Sequence, residues 1–577
     1  MLNKMASEAR KSIIKMIYEA KSGHPGGSLS CIDILMYLYQ KELKLTKDNI
    51  NSNERNKLVL SKGHGAPALY AVLKEMKVLD EKELMTFRKI NSSLQGHPNM
   101  NDTKGVDMST GSLGQGISAA VGITLANKYK NNNYYTYVIC GDGEFEEGQV
   151  YEALMAASHY QLSHFILFLD YNGLQIDGKI VDVIGPQPFL EKFLAFGFEV
   201  ININGHDFDD LIRVLNLAKS AKTSVVVHVV TKKGRGYKYA ENDIAGKWHG
   251  IAPFNIEDGT MKGAGTSSKI SWSKMVADHI ERQMKSDQDI VAITPAMIHG
   301  SAMDNIFMHY PERSFDVGIA EEHALTFTAG LAISQKKPFI SIYSSFLQRA
   351  YDQINHDIAR MDLGCLICVD RCGFVGADGP THHGVFDLGI LTPLPNVIIC
   401  TPSNSCDAKR FINTYLKNND HPYILRIPRG DIEDMNVGDE LLTIGKWQVV
   451  NRKDYDVTII CYGQNVNLIR EFFKDKEIKV RIIDALFIKP MDEDMLNEII
   501  DEKPLIVYET ELKTGSLASN IAYYYSQNNI LKRIHSFGVD DHYSVQGTVA
   551  QILQDEGLDM DTFYQKVKEI LNEEGKN

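Results

Sequence analysis

The sequence predicts an α/β protein built as three doubly wound domains with mostly parallel sheets. Three observations carry this. Short apolar, β-branched runs recur along the chain with helical patterns between them, the mark of parallel strands buried on both faces. The 577 residues exceed what one core supports. A stretch rich in Gly, Ser and Thr, "EDGTMKGAGTSSK" at 257–269, has little to bury and reads as a linker.

The elements follow in order. The N-terminus is an amphipathic helix, with Ala6, Ala9, Ile13, Ile17 and Ala20 on one face. Predicted strands in the first part lie at 134–140, 164–170 and 224–230. Those of the second part lie at 338–346, 365–370, 397–400 and 423–427, and those of the last part at 457–463, 479–484 and 505–510. A weaker boundary falls in "RGDIEDMNVGDE" at 429–440. The expected division is 1–257, a linker at 258–269, then 270–432 and 440–577.

Composition narrows the function. Hydrophobic residues make up 44% and charged residues 23%, as in ordinary globular proteins. A net charge of −13 argues against nucleic acid or an anionic membrane as partner. It also means that a phosphorylated substrate needs local cations. No apolar run approaches the roughly 20 residues that span a bilayer, so a soluble, cytoplasmic protein is expected. Cys365, Cys368 and Cys372 sit close together in "CLICVDRC", but no second pair at metal-ligand spacing accompanies them, and they read as buried strand cysteines. There is no His-Glu-x-x-His and no Gly-x-Ser-x-Gly.

One stretch carries more. "GDGEFEEGQVYEALMAASHYQLSHFILFLDYNG" begins where a strand ends, at Gly141. A helix with Val150, Leu154 and Ala157 on one face follows, and a second strand returns to Asn172. Strand–helix–strand places Asp142 and Asn172 at the same carboxyl edge of a sheet, where open α/β sheets bind ligands. Both offer hard oxygen ligands suited to Mg²⁺ beside a diphosphate. Gly143 allows close backbone approach, and the helix start adds an electropositive end.

This GDG-to-Asn spacing resembles the diphosphate–Mg²⁺ motif of thiamine-diphosphate (ThDP) enzymes. The stretches "SGHPGGSLS", "SKGHGAPALYA", "QGHPN" and "STGSLGQG" resemble the transketolase N-terminal domain. The second half resembles deoxyxylulose-phosphate synthase, in "FDVGIAEEHALTFTAGLA", "IYSSFLQRAYDQ", "DRCGFVGADGPTHHGVFD" and "RIPRG". The last third resembles that synthase too, in "FIKPMDEDML" and "HSFGVDDHYSVQGT". The family resemblance implies two ThDP-binding folds, for diphosphate and pyrimidine, plus a C-terminal transketolase-type domain, assembled as a homodimer.

It also implies roles. Asp142, Asn172 and the Leu174 carbonyl would hold Mg²⁺, with Gly143 beside the diphosphate. Glu321 would drive the cofactor's aminopyrimidine, and must carry a proton part of the time; in "IAEE", Glu322 replaces the usual Gln. Glu147 matches a glutamate that meets the activating one across a dimer interface. Phe346 would stack on the aminopyrimidine with Tyr343 nearby, and Gly111 and Leu113 would touch the cofactor's ring. His249 would sit near the diphosphate and the reacting carbon. His24, His64 and His97 match transketolase histidines, His97 bonding donor hydroxyls; His382 matches both branches, and His383 beside it reads as packing. Arg429 and Arg371 would hold a substrate phosphate, with Asp378 among the substrate-binding residues. Arg349 is a synthase-like feature.

The expected activity is transfer of a two-carbon ketol unit from a ketose phosphate to an aldose, as in transketolase. The alternative is 1-deoxy-D-xylulose-5-phosphate synthase, which joins pyruvate to glyceraldehyde 3-phosphate with loss of CO₂. A catalytically inactive relative is the remaining alternative; Asp142, Asn172 and Glu321, whose loss would favour it, are all present.

Overall fold

The computed structural model describes all residues except 47, 176–177, 186–187, 244–245, 262–268, 452–453, 503 and 575–577. Most of the expected linker therefore lies outside the described residues. The chain forms two compact units: 1–264 with the short segments 318–320 and 377–381, and the remainder.

The N-terminal unit holds one all-parallel sheet, in the order Lys57–Leu60, Thr136–Gly141, Phe165–Tyr171, Val225–Val230, Glu199–Asn204. Its three central strands are the predicted ones. They are almost wholly buried, as continuous Val/Ile/Leu/Phe runs require between two helical layers. The two edge strands went unread. Lys57–Leu60 has four residues, and "EVININ" mixes exposed polar with apolar positions because it lies at the sheet's rim. Helix Leu2–Ala20 buries Ala6, Ala9, Ile13 and Ile17 as expected, but Ala20 stays half-buried.

The second unit holds two larger sheets. The first orders Phe487–Lys489, Ile398–Cys400, Pro422–Pro428, Cys365–Cys372, Lys337–Tyr343, Ile290–Thr294 and Ser314–Asp316. All its pairs are parallel except the first. That exception is instructive. Phe487–Lys489 comes from the C-terminal third, yet pairs antiparallel on the edge of the middle sheet. One buried cluster likewise joins residues such as Ile367 and Ile424 to Ile460, Ile483 and Val507. The other sheet orders Gln448–Val449, Val480–Asp484, Val457–Cys461, Leu505–Leu512 and Ile534–Val539. The run at 338–346 is shorter as a strand than predicted, because the chain turns into helix at Ser344–Leu347. Cys365, Cys368 and Cys372 are buried strand residues, as the sequence suggested.

Candidate active site

In the N-terminal unit, the parallel register sets Gly141 beside Asp170, so the next residues of both strands leave the same sheet edge. Asp142 follows the first strand and Asn172 the second. The Asp142 carboxylate is fixed by three backbone N–H groups: Gly143 donates to Oδ1 at 3.0 Å, and Asn172 and Gly173 donate to Oδ2 at 2.8 and 2.6 Å. It is 2% exposed. Burial, reinforced by the Asp170 charge, raises its pKa to about 6. A buried carboxylate so disfavoured is relieved by a cation. Asn172 and Leu174 line the same pocket, together with Gly143, Leu113, His64 and His249. This donor set fits a hard divalent ion carrying diphosphate oxygens.

Four histidines gather there. The His24 ring lies 5.7 Å from His64, 5.9 Å from His97 and 5.5 Å from His249, and His64 lies 5.2 Å from His249. Burial first, then nearby lysines, pushes the pKa of His64 and of His249 well below the ordinary imidazole value. Both are neutral at physiological pH and so can accept a hydrogen bond as well as donate one. Gly111 has φ +155°, and a side chain there would press on His97. His97 pairs through Nδ1 with the Thr381 hydroxyl at 3.0 Å. Glu147 is buried at the start of helix Gly148–His159.

Several residues of this pocket were not read from the sequence. Glu144 ties three turns together, accepting from Gly114 N at 2.7 Å, Gly141 N at 3.2 Å and the Ser61 hydroxyl. Lys62 is 1% exposed and donates to Asp170 at 2.5 Å. Lys233 lines the pocket and donates to the Gln175 carbonyl at 3.0 Å; burial lowers its pKa to about 8. Arg88 binds Asp378 at 2.5 Å and Ser22 at 2.7 Å, and contacts His24 Nδ1 at 3.3 Å. The Asp378 contact accounts for a residue that its motif alone left without a partner. The second acid of "GDGE" was the available signal for Glu144. Nothing local marked Arg88, whose partner lies 290 residues away.

The second unit gathers another set. Glu321 opens helix Glu321–Ile333, is 5% exposed, and faces the Arg349 guanidinium at 3.7 Å. Tyr343 and Phe346 stack at 5.3 Å, and His382 meets the Phe346 ring edge-on at 5.5 Å. The Arg371 guanidinium lies 4.0 Å above the Tyr343 ring, on a backbone with φ +61°. That left-handed conformation is costly for a non-glycine residue and is held by its surroundings; here its N–H donates to Asp370 at 2.7 Å. Arg429 donates to the Val375 carbonyl at 2.7 Å. His383 is buried, accepting from Val375 N at 3.3 Å and donating to the Val545 carbonyl at 3.0 Å, so its place is in the packing of that loop.

Three family models match in chain order: "Transketolase, thiamine diphosphate binding domain" over 1–292, "Transketolase, pyrimidine binding domain" over 268–434, and "Transketolase, C-terminal domain" over 445–562. The chain belongs to the transketolase and deoxyxylulose-phosphate synthase family of thiamine-diphosphate enzymes. Within that family its relatives favour one branch. A protein of Listeria monocytogenes is 33% identical, covering 100% of this chain and 95% of its own. One of Bacillus licheniformis is 32% identical over 98% and 95%. One of Listeria innocua is 34% identical over 83% and 84%. Each is named 1-deoxy-D-xylulose-5-phosphate synthase. The transketolase reading drawn from the N-terminal motifs is thereby overturned. Those motifs bring His24, His64 and His97 together beside the Asp142–Asn172 pocket, a cluster that does not by itself discriminate between donors. Among solved structures, transketolase from Leishmania mexicana is 20% identical over 99% of this chain and 98% of its own, with a TM-score of 0.45. Among the described residues no helix is long and apolar enough to cross a membrane.

Proposed function

We propose that this enzyme is a 1-deoxy-D-xylulose-5-phosphate synthase, joining pyruvate to glyceraldehyde 3-phosphate with release of CO₂. The observation that carries the reading is kinship at 32–33% identity along essentially the whole chain with proteins of that name. The second unit supports it chemically. A ketoacid donor and a phosphorylated acceptor are both anions, and Arg349, Arg371 and Arg429 supply guanidinium groups for carboxylate and phosphate within a chain of net charge −13.

ThDP supplies the carbanion chemistry when bound. The chain's own residues position and move protons. Asp142, Asn172 and the Leu174 carbonyl would hold Mg²⁺, with Lys233 beside them as fixed positive charge. Glu321 would hold or release the proton that the aminopyrimidine needs, and Arg349, 3.7 Å away, would stabilise its ionised form. Phe346, stacked on Tyr343, presents a flat apolar surface. The neutral imidazoles of His64 and His249 accept or donate at the reacting oxygens without adding charge. Gly111 and Leu113 would contact the cofactor, and Glu147 would belong to a carboxylate contact between subunits. The reading includes a cytoplasmic homodimer and three domains at 1–257, 270–432 and 440–577.

The test compares donors on one preparation loaded with ThDP and Mg²⁺. Pyruvate with glyceraldehyde 3-phosphate should release CO₂ and yield deoxyxylulose phosphate, followed by NMR. Xylulose 5-phosphate with ribose 5-phosphate should turn over at least about 10²-fold more slowly in kcat/KM, a discrimination near 3 kcal/mol. Preference for the ketose donor would reject the assignment.

A further inference from the structure

A cavity of about 640 Å³ lies in the N-terminal unit and shares no lining residue with the pocket around Asp142 and Asn172. Its volume is that of a small-molecule site. One wall is a stripe of helix Leu2–Ala20 that includes Arg10, Lys11 and Ile14, and the opposite wall is Arg235–Gly236–Tyr237.

The wall is built rather than incidental. Arg10 donates to Asp33 at 2.5 Å and to the Arg235 carbonyl at 3.2 Å. His206 accepts from Lys232 N through Nε2 at 2.9 Å, so its Nδ1 carries the proton and donates to Asp33 at 2.8 Å. The Asp33 carboxylate is the sole acid among the lining residues, and its Oδ2 is occupied by these two groups. Gly236 has φ +87°, and a Cβ there would lie 2.7 Å from Arg10 Cδ, so the loop closes on the helix only with glycine.

The rest of the lining is positive and apolar, apart from Asn3 and Ser7. Lys11, Lys15 and Arg235 line it alongside Arg10. Their acidic neighbours are surface partners: Glu8 at 2.8 Å from Lys11, Glu81 at 2.7 Å from Lys15, and Glu241 at 3.9 Å from Arg235. Such exposed pairs hold little energy, and a ligand's anion can replace them. Leu29, Ile14, Tyr237 and Ile256 give the apolar part. In a protein of net charge −13, a lining with four cations and one acid is locally positive, and three of those cations are countered only by acids outside the lining.

We propose that this cavity is a second binding site, for a small amphiphilic anion: a phosphate or carboxylate on a short apolar body. The anionic end sits among Lys11, Lys15 and Arg235, and the body lies along Ile14 and Tyr237.

The probe is hexyl phosphate, titrated by calorimetry into enzyme saturated with ThDP and Mg²⁺, which closes the diphosphate pocket. Saturable binding of one molecule per chain is expected, at least about tenfold tighter than inorganic phosphate or hexanol. The double variant Lys11→Glu/Arg235→Glu should weaken it at least about tenfold while melting temperature and ThDP affinity stay at wild-type values. Lys11→Ala/Arg235→Ala, which removes charge without reversing it, should weaken it by a smaller factor. Both side chains are exposed and stand outside the catalytic machinery. No saturable binding, equal binding of inorganic phosphate, or binding that survives both double variants would overturn the proposal.

Discussion

The two units build their sites from opposite materials. The N-terminal unit uses strand ends, backbone N–H groups, carboxylates and neutral histidines, with its lysines buried against Asp170 and peptide carbonyls. The second unit uses three guanidiniums, an aromatic pair and one carboxylate opposite an arginine. The first suits a cation and its polyanionic cargo, because hard oxygens are held in place by the sheet itself. The second suits planar anions and proton exchange, because guanidinium forks match carboxylate and phosphate. On the proposed reading, metal and substrate would thus draw on different parts of the chemical repertoire.

That contrast can be broken by substitution, beginning with the largest effect. Glu321→Gln keeps shape but cannot cycle a proton. Exchange at thiazolium C2, measured by quenched-flow NMR, should slow by about 10²-fold or more while ThDP still binds. A wild-type exchange rate would remove Glu321 from its role. Next comes Asp142→Ala, which should weaken Mg²⁺-dependent ThDP binding by about 10- to 100-fold in calorimetry. Unchanged affinity would mean that the metal is held elsewhere. Arg429→Ala should then raise KM for glyceraldehyde 3-phosphate by about 10-fold, with little change in KM for pyruvate. Equal effects on both substrates would separate Arg429 from the acceptor's phosphate.

A smaller effect concerns stability. Glu509 is buried beside Glu511, and burial raises its pKa to about 8. The unfolded chain releases this proton near pH 4.5, whereas the folded chain keeps it until about 8. Between those values the folded state binds more protons, so its stability falls as pH rises, by up to about 1.4 kcal/mol per pH unit. Glu509→Gln should flatten that slope in denaturant titrations at pH 5 and 8. The smallest effect expected is at His97. If pyruvate is the donor, His97→Ala should change its kcat/KM by less than about threefold, since the transferred carbon has no hydroxyl to bond. A large loss would return that histidine to the donor site.

Much of the first site was legible, for a physical reason. Asp142 and Asn172 each follow an apolar strand, and parallel register does the rest. The motifs of the second unit likewise pointed to Glu321, Tyr343, Phe346 and His382. What escaped the sequence was non-local. Arg88 and Asp378 meet across 290 residues, and Lys62 and Asp170 across 108. No periodicity reports such pairings. The N-terminal histidine motifs pointed to the branch that the relatives do not support, because a cluster of histidines beside one pocket cannot choose between two reactions.

The strand Phe487–Lys489 has a consequence for synthesis. It covers the edge strand Ile398–Cys400, yet it is encoded about sixty residues beyond Pro428, which at roughly 5–20 residues per second takes several seconds to translate. During that interval the nascent middle sheet presents unpaired N–H and C=O groups, a surface that pairs readily with foreign strands. Slow translation through 429–486 would lengthen this exposure, so the yield of soluble enzyme should depend on codon usage and chaperone supply over that stretch more than over the N-terminal unit.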